Sequence, residues 1–208
     1  MGGERTLSLI YFTLSIYILY LAYKLYDPSK RRGYLALAIL TTGIYTYLEF
    51  VSFNQPHAYL LIFKLESTMY ILGSYYFYRS FRILRGKFSV PSFVILIGMI
   101  LYVLLAPTAT EVRIYKHYFV EIYTHYWGEI IVIFFYIFLM LFVLEGRKLY
   151  KKIDEETRKK ARNYMIIIIF TITAAIITRF LCLYFFIPHL DPIVFGIGYT
   201  VLYLFFRG

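Results

Sequence analysis

The sequence predicts an all-α, polytopic membrane protein: one seven-transmembrane-helix bundle over residues 1–208, with the N-terminus outside and the C-terminus inside. Three observations predict it. The 208-residue chain is 61% hydrophobic with a mean hydropathy of +0.66, above the usual range of a soluble domain. Its apolar residues gather into seven runs near the ~20 residues needed to cross a bilayer. Its cations occupy alternate connections between those runs, and connections rich in Lys and Arg stay on the cytoplasmic side.

The first run, residues 7–25, is too long for a signal-peptide core and lacks a small-residue cleavage site, so it is a retained span. The connection after it carries Lys24, Lys30, Arg31 and Arg32, and Asp27-Pro28 stops the helix. The second run, 34–53, leads to a short outer turn at 54–56. The third, 57–77, returns to Arg79, Arg82, Arg85 and Lys87. The fourth, 88–106, leads out to the segment 107–127. There Thr108 precedes Glu111 as in a capping box. Tyr115, Tyr118, Phe119, Tyr123, Tyr126 and Trp127 suit headgroup depth, so a short interfacial helix is expected on the outer surface. The fifth run, 128–144, continues into the cytoplasmic segment 145–163, where Asp154, Glu155 and Glu156 precede Arg158, Lys159 and Lys160. That pattern reads as a helical extension of the fifth span, either simply solvated or a docking surface. The sixth and seventh runs are 164–187 and 191–206. Seventeen of the 22 Lys and Arg residues lie in the cytoplasmic connections or at Arg207.

These features exclude several function classes. The net charge of +10 is confined to membrane-flanking segments, which suits sidedness and anionic lipid heads rather than nucleic acid. Cys182 stands alone, which excludes an intramolecular disulfide and paired-thiol redox chemistry. Asp191 has no second intramembrane Asp, no His-Glu-x-x-His occurs, and the acid-rich Mg²⁺ motif of lipid-head transferases is missing. Gly196-Ile197-Gly198 follows no strand and is not a phosphate loop. The last run has no Lys for a retinal Schiff base. An enzyme is therefore not expected, nor a cofactor. Gln55 is the only Gln, and Asn54 and Asn163 are the only Asn. With abundant Tyr, Ile and Lys, that points to a thermophilic source.

Ionisable groups inside a bilayer face a bundle interior or a wet cavity. Glu49, Lys64, Glu66, Arg179 and Asp191 all fall in the outer half, and no comparable set is expected in the cytoplasmic half. Thr42, Thr46, Glu49 and Phe53 share one helix face, as do Glu66, Tyr70 and Gly73. Lys64 points about 160° from Glu66, so it either pairs with Glu49 or snorkels. Thr171, Ala175, Thr178 and Arg179 form a small-polar face suited to close helix contact. The candidate ligand-binding set is thus Glu49, Lys64, Glu66, Tyr70, Arg179 and Asp191, forming an outward-open pocket for a small polar ligand or a lipid. Structural ion pairs between spans two, three, six and seven, or a proton path, are the alternatives. All four histidines, His57, His117, His125 and His189, map to outer connections. His117, Glu121 and His125 have a spacing that suits Zn²⁺ or pH sensing. The wet face of an interfacial helix accounts for the same spacing and is the reading adopted, with no metal. Arg79, Arg82, Arg85, Lys151, Lys152 and Arg158 are the candidates for docking a cytoplasmic partner.

One family resemblance emerges. Small and apolar residues lead to Leu48-Glu49, a short turn follows, and Lys64-Leu65-Glu66 opens the next apolar run. Leu190-Asp191-Pro192-Ile193-Val194-Phe195 leads through the last run to Arg207, and the basic segment 158–163 precedes span six. This pattern resembles the N-terminal seven-helix sensor region of membrane histidine kinases. The resemblance implies a module that senses a signal outside or in the membrane and passes it to a cytoplasmic output. It makes Glu49, Lys64, Glu66 and Asp191 the shared polar positions. The 208 residues hold no kinase domain, and the proline-rich start after span three is poorly matched. The expectation is a receptor-like sensor, either part of a longer chain or acting through a cytoplasmic or membrane partner. A small transporter or channel, or a non-catalytic subunit of a membrane complex, is the alternative.

Overall fold

The computed structural model describes residues 2–27, 30–54, 59–82, 90–105, 110–115, 118–123, 127–150, 154–185 and 190–207. Seven helices appear among them: α1 (Gly2–Leu25), α2 (Lys30–Asn54), α3 (Tyr59–Arg82), α4 (Val90–Leu105), α5 (Trp127–Tyr150), α6 (Glu155–Phe185) and α7 (Asp191–Arg207). Three contain stretches long and apolar enough to cross a membrane: Thr6–Leu25, Arg32–Ser52 and Glu155–Arg179. α4 is apolar but shorter. These helices mark a membrane-embedded protein.

The packing has the pattern that lipid demands. Backbone groups are satisfied within helices, polar side chains turn inward, and large apolar side chains turn outward. Thr46, Glu49, Glu66, Ser74, Ser80 and Asp191 are buried, while Leu9, Leu105, Met140, Phe170, Ile177 and Ile197 are exposed. In water such a surface would aggregate. Helix neighbours close a ring in the order α1, α2, α3, α5, α6, α7 and back to α1, with α2 also touching α7. α4 stands outside, against α3. The core is rich in rings, such as Tyr75 edge-on to Phe138 at 5.3 Å and Phe195 stacked on Tyr199 at 5.9 Å.

Small residues set the closest approaches. A Cβ at Gly73 would meet Thr41 Oγ1 at 2.9 Å, and one at Gly198 would overlap the Thr171 side chain. The second contact, with Ala175 buried beside it, matches the small-polar face expected on α6.

Two expectations are corrected. The segment 107–127 does not form an interfacial helix. It contains strands β1 (Thr110–Tyr115) and β2 (Tyr118–Tyr123), paired antiparallel with Tyr115 opposite Tyr118 and Thr110 opposite Tyr123. Val112, Ile114, Phe119, Val120 and Ile122 favour strands over helix, and this local preference outweighs the four-residue recurrence of polar groups. The segment 145–163 is not one extension of α5 either. α5 runs to Tyr150, and a new helix starts at Asp154, whose carboxylate accepts the Thr157 N–H at 2.9 Å while its carbonyl accepts the Arg158 N–H at 2.9 Å. Asp154 is thus an N-cap. The Thr157 N–H holds its carboxyl below the usual Asp range.

Candidate functional site

At the end of the bundle where α2 and α6 finish and α7 begins, four helices converge on one buried hydroxyl. Tyr45 lies one turn before Glu49 on α2, so both project to the same face. The Tyr45 hydroxyl sits 2.7 Å from Glu49 Oε1 and 2.7 Å from Asp191 Oδ2. Arg179 Nη1 donates to it at 2.6 Å. Arg179 also lies 3.5 Å from Glu49 and 3.8 Å from Asp191, and its guanidinium covers the rings of Tyr45 and Tyr70 at 6.0 and 5.9 Å. Tyr70, from α3, donates to Asp191 Oδ2 at 2.5 Å. Asp191 opens α7, where an acid suits the helix N-terminus, and Ile193 N–H bonds back to Leu190 O at 3.0 Å.

The cluster is closed. Asp191 is 0% exposed and Glu49 4%. Tyr45 and Tyr70 also line a cavity of about 20 Å³, together with Thr42, Ser74 and Tyr199. That volume admits one water and no organic molecule. This cavity is smaller than the open pocket expected for a polar ligand.

Of the six residues expected to form the site, Glu49, Tyr70, Arg179 and Asp191 are brought together. Glu66 is buried one turn along α3 from Tyr70. Lys64 points elsewhere: its ammonium donates to Leu104 O in the last turn of α4 at 2.8 Å. There it meets the negative end of a helix, not Glu49. Tyr45, the hub, was not among the expected residues. Its signal was the i, i+4 relation to Glu49. Glu121 lies on β2, opposite Val112, while His117 and His125 lie outside the described residues, as do His57 and His189. Among the described residues no three His, Cys, Asp or Glu gather as a metal site.

The opposite end corrects a further expectation, because it too has buried charge. Arg79 is 5% exposed and lies over the Tyr34 ring at 5.2 Å. Buried Glu145 lies 3.7 Å from both Arg82 and Lys148, and Arg82 also donates to the Tyr78 hydroxyl. Arg79 and Arg82 therefore make these contacts within the bundle; α3 continues through them, so they are helix residues rather than loop. Arg158 is half-buried, while Arg85, Lys151 and Lys152 lie outside the described residues. Hydroxyls also pair across the ring: Thr42 with Tyr199 at 2.8 Å, joining α2 to α7, and Ser80, beside Arg79, with Tyr164 at 2.9 Å, joining α3 to α6.

The fold and site define a helical membrane bundle tied by a buried ionic and phenolic cluster. No family model matches the chain, and no curated protein or solved structure is similar to it.

Proposed function

We propose that this chain is a multi-pass cell-membrane sensor. Its seven helices all span, with the N-terminus outside and the C-terminus inside, and the cluster around Tyr45 lies near the outer surface. A signal repacks α6 and α7, and the change passes to a cytoplasmic or membrane partner through Arg85, Lys151, Lys152 and Arg158. The observation that carries the reading is the convergence of Glu49, Tyr70, Arg179 and Asp191, one from each of four helices, on or beside a single hydroxyl. Altering one partner changes the balance of attractions among all four helices. A signal shifts such a bundle only through its differential affinity for two arrangements. The distribution of Lys and Arg supports the orientation, and the resemblance to histidine-kinase sensor regions supports the role.

Spin labels on Lys148→Cys and Arg207→Cys, both exposed, test it in a Cys182→Ala background in nanodiscs. Arg179→Gln, at the far end, is expected to shift or broaden the distance distribution. An unchanged distribution overturns the coupling.

The Thr42–Tyr199 hydroxyl pair, with the small cavity that Thr42, Ser74 and Tyr199 line, favours proton transport as a second reading, since the interior between the two charged ends is not wholly apolar. Proton uptake by liposomes that Thr42→Val abolishes would put that reading first.

A further inference from the structure

The Tyr45 hydroxyl has one proton and two lone pairs, and Arg179, Glu49 and Asp191 all meet it, with the Tyr70 hydroxyl within hydrogen-bond reach as well. Arg179 Nη1 at 2.6 Å only donates, so it takes one lone pair. One proton is left for two carboxyl oxygens, Glu49 Oε1 and Asp191 Oδ2, each 2.7 Å away. If both were carboxylates, one of these contacts would set bare lone pairs against each other in a buried site. A proton on one carboxyl removes the conflict. Asp191 Oδ2 already receives the Tyr70 hydroxyl at 2.5 Å, which suits a carboxylate. The proton therefore belongs on Glu49. Glu49 O–H donates to Tyr45, Tyr45 O–H donates to Asp191, and the two lone pairs of Tyr45 take Arg179 and Glu49.

Charge agrees with the hydrogen-bond count. With one proton, Glu49, Arg179 and Asp191 sum to zero; without it the trio carries a net negative charge out of water, which is costly. Among the described residues, other titratable groups on this side include Tyr11 from α1, Lys64, Glu66 and Tyr70 from α3, and Cys182 from α6. Tyr11 and Cys182 both lie within electrostatic reach of Glu49, Asp191 and Arg179.

We propose that the cluster is a proton-binding site, with Glu49 carrying the proton at neutral pH, and that loss of this proton is the signal α6 and α7 respond to. When the Glu49 O–H bond breaks towards Tyr45, its proton bonds to the phenol oxygen and the phenol proton passes to Asp191. One proton has moved from one carboxyl to the other, and Tyr45 is unchanged. Release of that proton to water leaves the trio negative and opposes the closed arrangement. That the proton is the signal rests on the sensor reading; that the cluster holds a proton does not.

Infrared pH-difference spectra of the full chain in nanodiscs test the site. The expected result is a protonated-carboxyl carbonyl band at neutral pH that disappears as pH rises. Glu49→Gln should abolish the band, and Tyr45→Phe should shift it, because the acid loses its acceptor. Gln can donate an N–H to Tyr45 as the acid does, so Glu49→Gln should stay folded, which its thermal midpoint checks. Absence of the band in the wild type at neutral pH, or its persistence in Glu49→Gln, overturns the proton site. A band that titrates while the Lys148–Arg207 label distance stays fixed overturns the signalling role and leaves the site standing.

Discussion

Arg179→Gln removes a guanidinium that touches Tyr45 at 2.6 Å and lies within 3.5 and 3.8 Å of two buried carboxyl groups. Breaking a buried ion pair from one side costs about 3–5 kcal/mol, because the remaining charge stays buried without compensation. The Arg179 side chain keeps 17% of its exposure, so the lower end, about 3 kcal/mol, is the expected loss. For a chain of this size each kcal/mol moves the thermal midpoint by about 2–4 °C, so a drop of about 6–12 °C is expected. The assay is thermal unfolding in nanodiscs at neutral pH, with Asp191→Asn and the double variant measured alongside. The double variant should lose less than the two single losses added together, because each single variant strands the other's charge. A loss under about 1 kcal/mol, or strict additivity, would refute the claim that these groups form one buried unit.

Three further outcomes follow from the packing. Thr42→Val strands the buried Tyr199 hydroxyl, which it meets at 2.8 Å. It should cost about 1–3 kcal/mol, with much of the loss recovered in Thr42→Val/Tyr199→Phe, read by the same unfolding assay. Gly198→Ala presses a methyl into Thr171 and should cost about 1–3 kcal/mol through overpacking, relieved by Thr171→Gly. Asp154→Ala removes the cap from Thr157 and should speed amide exchange in the first turn of α6. Because folding lowers the Asp154 pKa, its contribution is full above the ordinary Asp value of about 3.9 and fades as pH falls below it. Wild type should therefore approach the variant only in acid.

Much of the fold was legible because a bilayer imposes a length on each apolar run. Depth along those runs also brought Glu49, Tyr70, Arg179 and Asp191 together. Tyr45 was hidden because the chain has 24 Tyr, and a phenol among them counts as apolar until a carboxylate one turn away is noticed. Arg79 and Arg82 were misplaced for a related reason. Charge marks a run's end, yet the helix goes on for another turn and turns these cations onto Tyr34, Tyr78 and Glu145. The strands at 110–123 were lost because recurrence of polar residues every four positions was weighed above the β-branched and aromatic character of the residues between them.

α4 stands apart from the ring, braced against α3 with Lys64 gripping its last turn. Its 16 described residues reach about 24 Å. The ties to Tyr45 come from α2, α6 and α7, so a slide of α4 along α3 leaves the ionic hub in place.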